Sequence, residues 1–252
     1  DAAQAGGFTG SGIMGEAQDG GCQVSHPDFA IDYTDGTISA ADHGTCTFGI
    51  VFSQGTNDMN AEGMIPDAIS VFSDYADNTK YNSVSHVWNG QFSSGNAGQN
   101  GLFQSNSWGY GPLDGTYGTH TEEADQASYD FPYETVLWAA GNSNDGVYKG
   151  SISQEAACKN ALTVGAIWHE GTASMSDDSW YNGGTGNSPS QGPTADGRQK
   201  PDIIGPFDDT YCTDQTGTAG YSSGDYFAVP GCTGAPPPAA ARIAGQAYEM
   251  YI

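Results

Sequence analysis

The sequence predicts an α/β protein, with parallel strands joined by helices, on three observations. Short apolar runs of strand length alternate with loop-like and helix-spaced segments along the chain. Several of those runs end in Asp, Gly or Asn, residue types that suit the carboxyl edge of an open parallel sheet, where such sheets bind their ligands. The 252 residues, with no internal repeat and no low-complexity linker, are ample for one domain with a large core.

Taken in order, Gly12 to Ala17 (GIMGEA) reads as a buried strand leading to Asp19, although Gly15 and Glu16 interrupt its apolar character. Gly44 to Phe52 (GTCTFGIVF) carries small and apolar side chains at helical spacing, which puts His43 at a helix N-terminus. Ala68 to Ser73 and Gln104 to Gly109 read as strands, the second closing on a glycine that permits close backbone approach. Thr135 to Asn142 and Ala161 to Ala166 read as two more. Ala239 to Ile252 is Ala-rich with the spacing of a buried helix, and Pro236 to Pro238 stand at its start, where proline is tolerated.

Composition narrows the function classes. A formal charge of −24, from 6 Lys+Arg against 30 Asp+Glu, repels nucleic acid and anionic membranes and favours solubility and cation binding. It suits either simple solubility, in saline surroundings for example, or an acidic interaction surface. The chain has no apolar stretch of membrane-spanning length and opens at Asp1 without a signal-peptide pattern, so it reads as a mature, soluble form. Abundant Gly, Ser, Asn, Asp and Tyr with scarce Lys suit an extracellular protein rich in ordered loops, and the frequent aromatics argue against disorder. Cys22, Cys46, Cys158, Cys212 and Cys232 lack zinc-site spacing; in an oxidising compartment they would form up to two disulfides with one thiol left over.

The chemistry-bearing residues come in a telling order. Asp19 lies in QDGG, His43 in DHGT and Asn142 in WAAGN. A carboxylate that orients a histidine, a histidine that takes a proton and an amide that holds an oxyanion are three of the four parts of a hydroxyl-nucleophile hydrolase. The fourth is expected near the C-terminus, where Gly231-Cys232-Thr233-Gly234-Ala235-Pro236-Pro237 offers Thr233. Each residue also has an ordinary structural reading: Asp19 as a turn residue, His43 at a helix start, Asn142 in a Gly-Asn turn, Thr233 as a cap. Cys232 as a thiolate nucleophile beside His43 is a further alternative. His26, His86, His120 and His169 have no comparable context.

These blocks and several others resemble the subtilisin-like serine proteases, the subtilases, nearest their oxidation-resistant alkaline branch. Asp19 to Phe29 (DGGCQVSHPDF) resembles the family's Asp block and His43-Gly44-Thr45 its His block. Ser105 to Gly109 (SNSWG) resembles the substrate-binding strand, Ala139 to Asn142 (AAGN) the oxyanion block, and Lys159 to Ala166 a strand near the specificity pocket. Gly192-Pro193-Thr194, Asp196-Gly197-Arg198 and Lys200 to Ile203 match a further stretch, and Gly231 to Pro237 matches the nucleophile block with Thr where the family has Ser.

The resemblance implies a three-layer α/β/α domain with a mainly parallel central sheet over residues 1–252, the C-terminal part of the usual domain being expected beyond Ile252. It implies a secreted endopeptidase in which Asp19, His43 and Thr233 form the triad and Asn142 the oxyanion hole. Protein or peptide substrates would pair with Ser107, Trp108 and Gly109, and Ala139, Gly141, Gly165 and Ala166 would line a pocket with room for a large apolar or aromatic side chain. The fold so implied would bring Cys22 to Cys46 and Cys158 to Cys212, leaving Cys232 single. No cofactor is required for catalysis; structural Ca²⁺ is common in the family, but no D-x-D-x-D-G loop assigns ligands here. The Thr233 methyl restricts χ1 and crowds the attack geometry. Two other classes therefore stay open: a pseudoprotease that binds peptides without cleaving them, and a structural protein that self-assembles through its acidic, Tyr-rich surface.

Overall fold

The computed structural model of the chain describes residues 2–77, 79–143, 150–167, 174, 176–179, 189–206 and 210–228. After a short helix α1 (Ala2–Ala5), strand β1 (Met14–Asp19) is buried at every position. It is followed by β2 (Tyr33–Asp35), helix α2 (Asp42–Phe52), β3 (Ile69–Asp74) and helix α3 (Lys80–Asn89). Next come the small hairpin β4 (Gln91–Phe92) and β5 (Gly95–Asn96), then β6 (Phe103–Asn106), helix α4 (Thr119–Asp130), β7 (Thr135–Ala139) and β8 (Leu162–Ile167). The remainder is β9 (Ile203–Pro206) and an antiparallel pair, β10 (Tyr211–Thr213) and β11 (Tyr226–Ala228).

Seven strands form one sheet in the order β2-β3-β1-β6-β7-β8-β9, and every neighbouring pair is parallel. Alternation along the strands sorts side chains to two faces. On one face Ala17, Phe72, Phe103, Leu137 and Val164 pack with Phe48, Ile50 and Phe52 of α2. On the other, Met14 and Val71 meet Val87 of α3, while Val136 and Trp138 share a cluster with Val84 of α3 and Ala124 and Ala127 of α4. The expected α/β/α layering with a parallel central sheet is what the chain adopts.

Helix α2 is buried from Gly44 to Phe52, which accounts for its lack of a polar stripe. Two glycines let it sit this deep: a Cβ on Gly44 would collide with the Gly21 carbonyl, and one on Gly49 with the Thr213 side chain. Helix α3 is capped by Thr79, whose Oγ1 accepts the Asn82 N–H at 3.2 Å, and ends at Gly90 in the left-handed region.

Several expectations need correction. The strand read over Gln104 to Gly109 leaves the ladder after Asn106, and the one read over Thr135 to Asn142 stops at Ala139, beyond which Gly141 at φ 112° turns the chain. The C-terminal helix over Ala239 to Ile252 lies outside the described residues. The four described cysteines are free and buried. Cys46 on α2 is within hydrogen-bonding reach of Cys212 on β10, whereas Cys22 meets Thr45 instead. Cys158 is on the opposite face of the sheet from Cys212, its Sγ donating to the Ala161 carbonyl at 3.7 Å, so that expected pair is separated by the sheet itself.

The described Lys and Arg side chains are all engaged. Lys80 Nζ lies 3.6 Å from Glu155, Lys159 sits 4.2 Å over the Tyr117 ring, and Lys200 contacts Asp202 at 2.6 Å. Arg198 forks onto Asp196 and also donates to the Ala157 and Cys158 carbonyls.

Candidate active site

Asp19 is the last residue of β1 and His43 the second of α2, and the sheet order brings the helix start to the strand end. The close approach at Gly44 closes the distance: His43 Nδ1 is 2.8 Å from both carboxylate oxygens of Asp19. Asp19 Oδ1 also accepts the Gly20 N–H at 2.7 Å, and Oδ2 accepts the Thr47 hydroxyl at 3.1 Å. The carboxylate is thus fixed from three directions while only 3 % exposed. Asp42 Oδ1 accepts the His43 N–H at 2.8 Å and puts a negative charge at the positive end of α2.

With Nδ1–H assigned as the donor to Asp19 from this geometry, Nε2 is the nitrogen left to accept a proton. The His43 side chain is 24 % exposed, in contrast to its partner. Burial of the ring works to lower its pKa, but the charge and hydrogen bond of Asp19, with Asp42 behind, outweigh that and hold it above the ordinary imidazole value.

One and two strands further along the same edge, roughly 5 and 10 Å away, the segments after β6 and β7 open a cavity. Its volume is about 230 Å³, and it is lined by Ser107, Trp108, Gly109, Leu113, Ala139, Gly141, Asn142, Ser143 and Ser153. A buried carboxylate–histidine pair beside a cavity that presents a side-chain amide is the arrangement an acyl-transfer site requires. A profile of the subtilase family matches residues 17–251. This chain belongs to the subtilase family.

Subtilases are serine proteases, and solved members of this fold superpose well despite low identity. The prenylagaramide maturation protease PagA has 18 % identity and a TM-score of 0.69 over 99 % of this chain and 78 % of its own. Sphericase has 21 % identity and a TM-score of 0.67, and the S41 psychrophilic protease 20 % and 0.66, each over 96 % of this chain and 78 % of its own.

Within this subtilase, Ser107, Trp108, Gly109, Ala139, Gly141 and Asn142 are brought to one cavity. Gly165 and Ala166 are not among its lining residues. They lie on β8, where Gly165 packs against Pro201 and Ile204, and Ala166 packs against the core on the α2 face. Thr233 lies outside the described residues, as does Cys232.

Sequence reasoning missed Leu113, Ser143, Ser153 and Ser190. Ser190 N–H donates to the Gly141 carbonyl at 2.8 Å and its Oγ accepts the Ser143 N–H at 3.0 Å, which fixes the turn that carries Asn142. No pattern in the sequence marks it. Among the described residues no group of three or more His, Cys, Asp or Glu side chains is placed to hold a metal ion, so no calcium ligand is assigned. Nor, among them, is any helix long and apolar enough to cross a membrane.

Proposed function

We propose that this subtilase is a secreted endopeptidase that cleaves peptide bonds with Asp19, His43 and Thr233 as its triad. The Thr233 Oγ–H proton passes to His43 Nε2 as Oγ bonds to the peptide carbonyl carbon. The oxyanion is held by the Asn142 side-chain amide and the Thr233 N–H. His43 then gives the proton to the departing amine as the C–N bond breaks, and water, deprotonated in turn by His43, releases the acyl group. The substrate runs beside Ser107, Trp108 and Gly109, with one side chain in the cavity they share with Ala139 and Gly141.

The observation that carries this reading is the grip of both Asp19 oxygens on His43 Nδ1, which leaves the opposite nitrogen as the base. The acidic, loop-rich composition supports secretion. A second reading rests on the residue at the nucleophile position. The threonine methyl restricts the rotamer from which the hydroxyl would attack, which favours a peptide-binding pseudoprotease.

Fluorophosphonate labelling followed by mass spectrometry, on the native chain and on Thr233→Ser, separates the two. Labelling at Thr233 in the native chain is the expected result for the protease. Labelling of the Thr233→Ser variant alone would sink it in favour of the pseudoprotease.

A further inference from the structure

The segment Ser107–Tyr110 is outside the β-ladder, yet three of its residues line the substrate cavity. What holds it is a charged cluster beneath it. Glu155, fully buried, accepts the Tyr110 N–H through Oε2 at 3.0 Å, and the same oxygen lies 3.2 Å from where a Gly109 Cβ would be. Lys80, the first residue of α3 and 7 % exposed, lies 3.6 Å from Glu155 Oε1 and donates to His120 Nδ1 at 3.0 Å. Its ammonium also sits 5.2 Å from the Trp108 ring centroid and 5.4 Å from that of Tyr110, within cation–π range.

The segment is therefore gripped twice, by its backbone through Glu155 and by its rings through Lys80. Glu155 Oε1 has no hydrogen bond, so the lysine is the charge that compensates it. Ordinary surface ion pairs are exposed and do not touch a binding segment; this one is buried and does.

Resting on the peptidase reading above, we infer that Lys80 and Glu155 are positioning residues for substrate. Through Tyr110 N–H and the Trp108 and Tyr110 rings, they hold Ser107–Tyr110 in the extended form against which a peptide strand pairs. They act on peptide affinity and leave the Asp19–His43 pair alone, since neither contacts it.

The test uses Glu155→Gln, Lys80→Met and the double variant. Glutamine keeps an acceptor for Tyr110, and the double variant leaves no stranded charge, so it remains informative even where a single variant fails to fold. KM for a fluorescein-labelled tetrapeptide amide ending in Phe is expected to rise about tenfold in the folded double variant, through loss of the ammonium that holds the Trp108 and Tyr110 rings, with kcat and fluorophosphonate labelling unchanged. Lys80→Arg, which keeps the cation, should restore most of the affinity.

An unchanged KM in a folded double variant overturns the inference, and so does a parallel fall in KM-independent labelling, which would mean general disorder of the site. Where the native chain does not label at all, the peptidase reading has failed. Anisotropy of the same tetrapeptide then decides the inference on binding alone: a tenfold weakening upholds it, and equal binding, or none by the native chain, overturns it.

Discussion

The two faces of the central sheet are built on opposite principles. The face under α2 is dry: Phe48 meets Phe29, Phe52 and Phe72, and Phe103 stacks on Phe52 at 6.0 Å. The face under α3 and α4 is threaded with polar groups. Glu16 Oε2 accepts from Gln104 at 2.5 Å and from Ser83 at 3.3 Å, Gln18 donates to Ser73 and Ser83, and Asn106 donates to Gln104 and to the Leu137 carbonyl. Strand β1 serves both, since its period of two sends Ala17 and Asp19 one way and Glu16 and Gln18 the other. At the edge of the dry face the close approach at Gly44 brings His43 to Asp19, and the Gly20 and Thr47 hydrogen bonds hold the carboxylate there. The wet face is held by hydrogen bonds whose strength depends on which groups carry protons.

The largest effect should come from breaking the carboxylate–histidine pair at the edge of the dry face. In Asp19→Asn the histidine loses the partner that sets its tautomer, and the fluorophosphonate labelling rate should fall about 10⁴-fold. The pH profile sharpens this. Labelling needs neutral His43, whose pKa is held up by Asp19, so the acid limb of the native chain should lie above about 6.5 and move down in the variant. The sign for stability follows: the pair's contribution is full below the unfolded histidine pKa and is lost as pH rises through the higher folded value. A drop of less than tenfold would mean that something other than Asp19 orients the ring.

Next, Phe103→Ala should cost about 3–5 kcal/mol in urea unfolding, because Phe103 is fully buried, stacked on Phe52 and packed directly over Gly15, which has no side chain to fill the space left. On the wet face the comparable experiment is Glu16→Gln. Burial raises the Glu16 pKa to about 7 against the pull of Ser73, Gln104 and Ser83. A raised folded value means that stability is present below the ordinary carboxyl pKa and is lost as pH climbs to 7 and beyond. The native chain should therefore lose roughly 3 kcal/mol between pH 4 and pH 9 through this one group, and Glu16→Gln should flatten that part of the curve. An unaltered pH slope would show that Glu134, also raised by burial and by the Glu16 charge, carries the effect. Smallest is Thr79→Ala, which removes the α3 cap and should cost about 1 kcal/mol by the same unfolding assay.

What the sequence made legible follows the same division. Strand β1, helix α2, β3, β7 and β8 announce themselves by apolar runs, and Asp19, His43 and the cavity residues by their blocks. Helices α3 (KYNSVSHVWN) and α4 (THTEEADQASYD) do not, because each buries only a few apolar side chains and relies on caps and on the polar face of the sheet. Edge strands β2 and β9 are three and four residues long and exist only through pairing, which a linear reading does not contain. The neighbours Cys46 and Cys212, the Ser190 brace under Asn142 and the Lys80–Glu155 grip on Tyr110 are likewise contacts between distant segments. Gly165 and Ala166, which the resemblance implies for the pocket, lie on β8, the strand next to the one that ends at Ala139.

The engagement of Lys80, Lys159, Arg198 and Lys200 has a consequence for traffic around the molecule. With those cations spent on internal carboxylates, carbonyls and rings, the field that reaches outward is that of the remaining acidic excess, set by a chain charge of −24. Such a field extends about 10 Å at 0.1 M salt and about 30 Å at 0.01 M. Cationic peptides will be drawn in and acidic ones turned away before any side chain is inspected, and lowering the ionic strength will widen that gap in association rate.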